Sequence, residues 1–207
     1  MIYLIGGGAR CGKSTLAKNL LRHLPNATYL SGDSFRQSLK PVLPAFHTSG
    51  VDADDAAAYI QYYKENIELA IDETIKRAEA LWPFIERYII SYGYETEDDL
   101  IVESVDIWPQ LIHELNIPYK AAFLVDTDAT QWQRVTAHLG KNDWMTAQHL
   151  SPEQIEAWAF YNAPRGGRII ESASMYGNKS YDIAQLGFEA VQETALLDLM
   201  NKDSDNV

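Results

Sequence analysis

The sequence predicts an α/β fold in which helices cover both faces of a parallel sheet. Three observations predict it. Short apolar runs alternate along the chain with segments whose apolar residues recur every three or four positions, the signature of strands alternating with covering helices. The run YKAAFLVDTD at 119–128 is apolar over most of its length, as a strand buried on both faces should be. The first apolar run leads through Gly6, Gly7 and Gly8 into a helical pattern. Parallel sheets meet their ligands at such junctions, beyond the carboxyl ends of the strands.

Each element follows from local signals. Residues 2–5 form the first strand. Residues 14–24 form the first helix, with Leu16, Ala17, Leu20, Leu21 and Leu24 on one face and Pro25 and Asn26 as stop signals. The second strand spans 27–30, and SGDSFR at 31–36 turns into a helix. KPVLPAFHTSG at 40–50, with two prolines, reads as loop. Asp52, Asp54 and Asp55 open a long helix, as acidic residues favour. Its stripe is Ile60, Tyr63, Ile67, Ile71, Ile75 and Ala78, with Glu73 and Arg77 paired at i,i+4 on the outside. Trp82–Pro83 breaks this helix, and a shorter one follows to about residue 92.

The third strand is 99–104, and Pro109 opens a helix that Asn116 and Pro118 end. After the fourth strand at 119–128, a helix runs from Ala129 to Gly140. SPEQ at 151–154 is a capping box with proline at N1, opening a helix to about residue 161. APRGGR at 163–168 reads as a hinge-like loop, followed by a short helix ending at Tyr176 and Gly177. The fifth strand is 179–183 and the last helix 187–200, with a polar, frayed tail. The sequence carries no internal repeat and no low-complexity segment.

Composition narrows the function classes. The chain has 207 residues, 46% hydrophobic and 22% charged, which suits one folded domain with a core. A net charge of −12 argues against wrapping nucleic acid polymers or resting on an anionic membrane, both of which need a basic surface. A small anionic ligand needs only a local positive site. No apolar run is long enough to span a bilayer, and no signal peptide is read at the N-terminus. The single cysteine, Cys11, fits a reducing cytoplasm. Its place just before a helix start allows a redox-sensitive thiol with a lowered pKa, or a residue that simply fills a permissive loop position.

Gly7, Gly12, Lys13 and Ser14 fit G-x-x-x-x-G-K-[ST], the phosphate-binding loop. Gly7, Gly8, Ala9, Arg10, Cys11, Gly12, Lys13, Ser14 and Thr15 form the expected nucleotide-binding run. Its amide N–H groups and the following helix N-terminus make a positive nest. Lys13 supplies a mobile charge for the β- and γ-phosphates of ATP, and Ser14 a hydroxyl for Mg²⁺. Asp33 falls just past the second strand. It suits a base for an acceptor hydroxyl or a water of the Mg²⁺ shell, or equally the N-cap of the next helix. Glu103 ends an apolar strand, either binding Mg²⁺ through water or as a strand-end acid paired with a surface base.

GGGARCGKST, SGDSFR and LIVES together resemble the P-loop small-molecule kinases, the group that includes nucleoside, nucleoside monophosphate, gluconate and shikimate kinases. ESVDIWP at 103–109 is similar to a stretch of 2-phosphoglycerate kinase-like proteins, with Ser104 where glycine is usual. The resemblance implies a three-layer P-loop NTPase fold with sheet order 2-3-1-4-5. It implies a helical acceptor-binding segment at 34–97 and a lid at 129–168, within one kinase domain spanning 1–207. Asp33 and Arg36 match a D-x-x-R pattern, which implies that Arg36 grips a polar or anionic group of the acceptor. Asp106, in the ESVDIWP stretch, is a further acceptor-side candidate. The resemblance also implies lid arginines that close on the phosphates. Arg134 is the leading candidate, with Lys141, Arg165 and Arg168 beside it and no choice between the last two.

Tyr59, Tyr62, Tyr63, Trp82, Tyr88, Tyr92 and Tyr94 crowd the acceptor region. They suit base stacking or, at helical spacing, core packing. His47, His113, His138 and His149 lack metal-ligand spacing. NKSYD at 178–182 has one residue too many for the N-K-x-D of a GTPase, and no D-x-x-G switch precedes it. The expected activity is transfer of the γ-phosphoryl of MgATP to a hydroxyl of a small-molecule acceptor. A nucleoside or nucleoside monophosphate kinase and a non-catalytic nucleotide-binding module are the alternatives.

Overall fold

The computed structural model describes residues 1–39, 54–137, 139–140 and 144–201. The predicted 40–50 loop, Asp52, Lys141, His47 and His138 lie outside the described residues. Five parallel strands form one sheet: β1 (Ile2–Gly7), β2 (Thr28–Ser31), β3 (Leu100–Glu103), β4 (Tyr119–Val125) and β5 (Lys179–Asp182). Their order is β2-β3-β1-β4-β5, as expected. β1 sits at the centre, with Ile5 opposite Glu103 of β3 and Gly7 opposite Leu124 of β4.

Alternation along the strands builds two cores. On one face Leu4, Leu100, Val102, Phe123 and Val125 pack beneath the long helices. On the other, Tyr3, Ile5, Ile101, Ala122 and Leu124 pack against α1 (Lys13–His23) and the C-terminal helix. The fold is therefore a three-layer sandwich whose carboxyl edge gathers the ends of β1, β2 and β3.

The remaining helices are α2 (Gly32–Leu39), α3 (Ala56–Glu65), α4 (Ile67–Glu95), α5 (Pro109–Ile112), α6 (Trp132–Ala137), α7 (Trp144–Ala147), α8 (Pro152–Met175), α9 (Ile183–Leu186) and α10 (Phe188–Met200). A 3₁₀ turn at Ala129–Gln131 precedes α6. The Ser151–Gln154 capping box opens α8 as predicted.

Two predicted breaks are absent, and an unpredicted one appears. Helix α4 runs unbroken through Pro83. A proline inside a helix costs about 3 kcal/mol. Around Pro83, however, Leu81, Trp82, Ile85 and Ile89 are all buried, and each large side chain contributes about 1.5–3 kcal/mol when fully buried. Tertiary burial therefore outweighs the local penalty. The same holds at 163–168, where the expected hinge loop is the middle of α8. Ala163, Arg165, Gly166 and Ile169 are buried there around Pro164. The hinge-like loop reading at 163–168 is thus corrected, because residues 152–175 are one helix. Conversely, the long helix expected from residue 54 onward splits at Asn66, which ends α3 and begins α4. Asp55 caps α3, accepting from the Ala58 N–H at 3.0 Å.

Candidate functional site

The loop between β1 and α1 is shaped by backbone sterics. Gly7 adopts φ +125°, and a Cβ there would lie 1.9 Å from the Leu124 carbonyl oxygen. The adjacent Gly8 N–H donates to that same oxygen at 2.8 Å. Only glycine lets the chain pass this close to β4. Gly12, at φ +85°, turns the loop into α1, where the Leu16 N–H bonds its carbonyl at 2.9 Å. Arg10 is also left-handed, at φ 64°.

Side chains from two distant helices bracket this loop. From α8, Asn162 donates to the Ala9 carbonyl at 3.4 Å, and its amide also donates to Gln131 Oε1 at 3.1 Å. From α10, Gln192 donates to the Gly12 carbonyl at 3.2 Å. Arg165 lies beneath, 3% exposed. It donates to Val105 O at 2.8 Å and, at 3.5 Å, to Gly7 O, with its guanidinium 5.3 Å from the Trp108 ring centroid. These donors satisfy the carbonyls of Gly7, Ala9 and Gly12. The sequence gives no sign of Asn162 or Gln192, because their partners are backbone atoms brought near only by the fold.

Lys13 is buried and folds back so that Nζ donates to Gly8 O at 2.6 Å. Burial lowers its pKa, against the favourable fields of Cys11, Glu103 and Asp33. Cys11 is fully buried, and burial pushes its thiol up to about 11. Of the two sequence readings, the structure matches the residue that simply fills its loop position, with Sγ 3.5 Å from Ala9 O.

At the mouth of the loop, Ser14 Oγ donates to Glu103 Oε1 at 3.2 Å. The Tyr29 hydroxyl donates to the same oxygen at 2.9 Å. Glu103 is 4% exposed, so it pairs with these two hydroxyls and not with a surface base.

Beside it, α2 starts at Gly32, two residues earlier than the cap reading of Asp33 requires. The Ser34 N–H bonds Ser31 Oγ at 3.4 Å. Ser31 thus takes the capping role, and Asp33 is left in the first turn with its side chain 49% exposed. Arg36 spans two carboxylates: Asp33 at 3.4 Å and Asp106 at 2.8 Å. Asp106 is wholly buried and also binds Arg77 from α4 at 3.0 Å. The predicted Glu73–Arg77 surface pair is replaced: Arg77 turns inward to Asp106, and Glu73 accepts from the Tyr62 hydroxyl. Asp106 does not face solvent, and its carboxylate anchors two guanidiniums.

Across the site, Arg134 pairs with buried Asp126 at the end of β4. Burial raises the pKa of Asp126, while a backbone N–H and Arg134 oppose it. Arg168 lies elsewhere, 3.7 Å from Glu68 on the surface. Of the two arginines that the sequence could not separate, the buried Arg165 is the one beneath the loop. The tyrosines of α3 pack with Tyr161 of α8: Tyr63 lies 4.7 Å from Tyr59, 4.9 Å from Tyr62 and 5.0 Å from Tyr161, centroid to centroid.

No family model and no curated protein matches this chain in sequence. Among solved structures, it is similar to a candidate kinase from Chloroflexus aurantiacus, with 16% identity and a TM-score of 0.44, over 96% of this chain and 94% of that one. It is also similar to deoxyadenosine kinase from M. mycoides, with 13% identity and a TM-score of 0.43, over 96% and 98% of the two chains. Likenesses this distant carry no functional argument, which has to come from the site itself.

Proposed function

We propose that the protein is a phosphotransferase that moves the γ-phosphoryl of ATP to a hydroxyl of a small acceptor. One observation carries this reading. At one sheet edge, a phosphate loop with a buried lysine meets a hydroxyl–carboxylate pair, Ser14 and Glu103, and a half-exposed carboxylate, Asp33, stands at the neighbouring strand end. A protein that only binds nucleotide needs the loop but has no use for Asp33.

The residues divide the work. Loop N–H groups and Lys13 hold the phosphates and offset the charge that develops on transfer. The Ser14 hydroxyl and the Glu103 carboxylate are hard oxygen donors, which suits Mg²⁺. Among the described residues no cluster of three His, Cys, Asp or Glu could hold a metal. A cation at Ser14 and Glu103 would therefore complete its shell with water and phosphate oxygens, as Mg²⁺ prefers. When bound, Mg²⁺ would neutralise phosphate charge. Asp33 accepts the proton of the acceptor hydroxyl. Arg36, fixed by Asp106, orients a polar or anionic group of the acceptor, and Arg134 stands by the transferring group.

Tyr59, Tyr62 and Tyr63 pack on one another and on Tyr161, which favours core packing over base stacking for these three rings. The test is ADP production by the full chain with ATP and Mg²⁺ across a panel of sugars, hydroxy acids, their phosphates, nucleosides and nucleotides. Release that rises at least about tenfold with one acceptor class supports transfer. Slow release that no acceptor changes contradicts it.

A further inference from the structure

We propose that Tyr29 is the positioning residue of the cation side of the site, holding the Glu103 carboxylate in the orientation that a divalent ion requires. This rests on the reading of Ser14 and Glu103 as that cation side. Tyr29 stands on β2 opposite Ile101 of β3, two residues before Ser31, which is in register with Glu103. Residues two apart on a strand share a face. The phenol therefore reaches along the sheet to the carboxylate, meeting Oε1 at 2.9 Å.

Ser14 donates to the same oxygen at 3.2 Å, but the two donors differ in kind. A serine hydroxyl turns freely to suit its partners, and Ser14 is exposed. Tyr29 carries its hydroxyl on a rigid ring. When Ser14 adjusts to a cation, the phenol is the donor that keeps the carboxylate from rotating about its last bond. Burial does not account for this placement. Tyr29 remains 38% exposed while Glu103 is 4% exposed, so a partly exposed side chain turns its hydroxyl onto a buried carboxylate. Outer partners that orient a metal ligand are typically worth about 10- to 100-fold in metal affinity. Water can partly replace a hydroxyl at a half-exposed position, which places Tyr29 near the lower end.

The experiment uses Mn²⁺ as probe, with ADP and the full chain, and reads bound Mn²⁺ by electron spin resonance without any turnover. Tyr29→Phe is expected to raise half-saturating Mn²⁺ about tenfold, while metal-free ADP affinity stays within about twofold and the melting temperature is retained. In a Glu103→Gln background the same substitution should add nothing, because its effect passes through that carboxylate. If Ser14→Ala and Glu103→Gln weaken Mn²⁺ binding but Tyr29→Phe leaves it within about twofold, the role of Tyr29 is overturned and the cation reading stands. If none of the three changes Mn²⁺ binding, the cation reading itself falls. An equal loss on Tyr29→Phe with or without Glu103 would overturn the inference by showing that the phenol acts elsewhere.

Discussion

The loop between β1 and α1 and the region of α2 and α4, which we propose as the phosphate and acceptor sides, share one sheet edge but are held in different ways. Between β1 and α1 the backbone does the shaping: Gly7 passes against Leu124 O, and Gly8 bonds that same oxygen. Around α2 and α4 side chains do it. A single buried carboxylate, Asp106, collects Arg36 from one helix and Arg77 from another. The first arrangement depends on residues adjacent in sequence. The second exists only once helices far apart in the chain have packed. Changes on the phosphate side should therefore strike nucleotide handling and spare the fold, whereas changes in the Asp106 network should strike the fold first.

The largest expected effect is on the phosphate side. Lys13→Ala should lower nucleotide-dependent turnover by at least about a hundredfold, the scale of removing one preorganised charge-stabilising group. Burial already disfavours its ammonium, so the melting temperature should hold. Steady-state kinetics and a melting curve on one preparation check both halves, and a variant that melts early would blur the contrast.

Asp106→Asn should show the opposite pattern. It leaves Arg36 and Arg77 converging on a neutral amide. Breaking a buried pair costs about 3–5 kcal/mol. These guanidiniums keep 17 and 18% of their side-chain surface exposed, so about 3 kcal/mol is expected. Urea unfolding measures it, and a loss below about 1 kcal/mol would mean that the network contributes little to the fold.

A smaller change sharpens the account of α4. Pro83 is exposed within an unbroken helix. Pro83→Ala should stabilise the protein by about 1 kcal/mol, less than the full 3 kcal/mol propensity difference because the helix has already adjusted to the ring. A neutral or destabilising result would favour a helix that ends there, as the sequence alone suggests.

The same contrast explains what could be read from the sequence. The phosphate loop, the five strands and the Ser151 cap depend on neighbours along the chain, and their limits were legible to within one to three residues. Ser14 and Glu103, marked by a motif and by a strand end, do come together. What misled were local signals that tertiary packing overrode. Pro83 and Pro164 read as breaks, but buried neighbours carry the helix through each. Glu73 and Arg77 read as a surface pair because i,i+4 spacing says nothing of Asp106 or Tyr62. Tyr29, Asn162 and Gln192 gave no signal, since their partners lie far off in the sequence. Among the described residues no helix is long and apolar enough to cross a membrane.

The proposed division of labour is tested most directly at Asp33, at the sheet edge that the two regions share. Because Ser31 and not Asp33 bonds the helix start, Asp33→Asn removes a charge and a base without removing a cap. General-base participation is typically worth about a hundred- to ten-thousandfold. With the acceptor found by screening, kcat should fall at least about tenfold, while MgATP binding by calorimetry stays within a few-fold of wild type. Full phosphoryl transfer by Asp33→Asn, or an equal loss in nucleotide binding, would contradict the assignment of Asp33 to the acceptor.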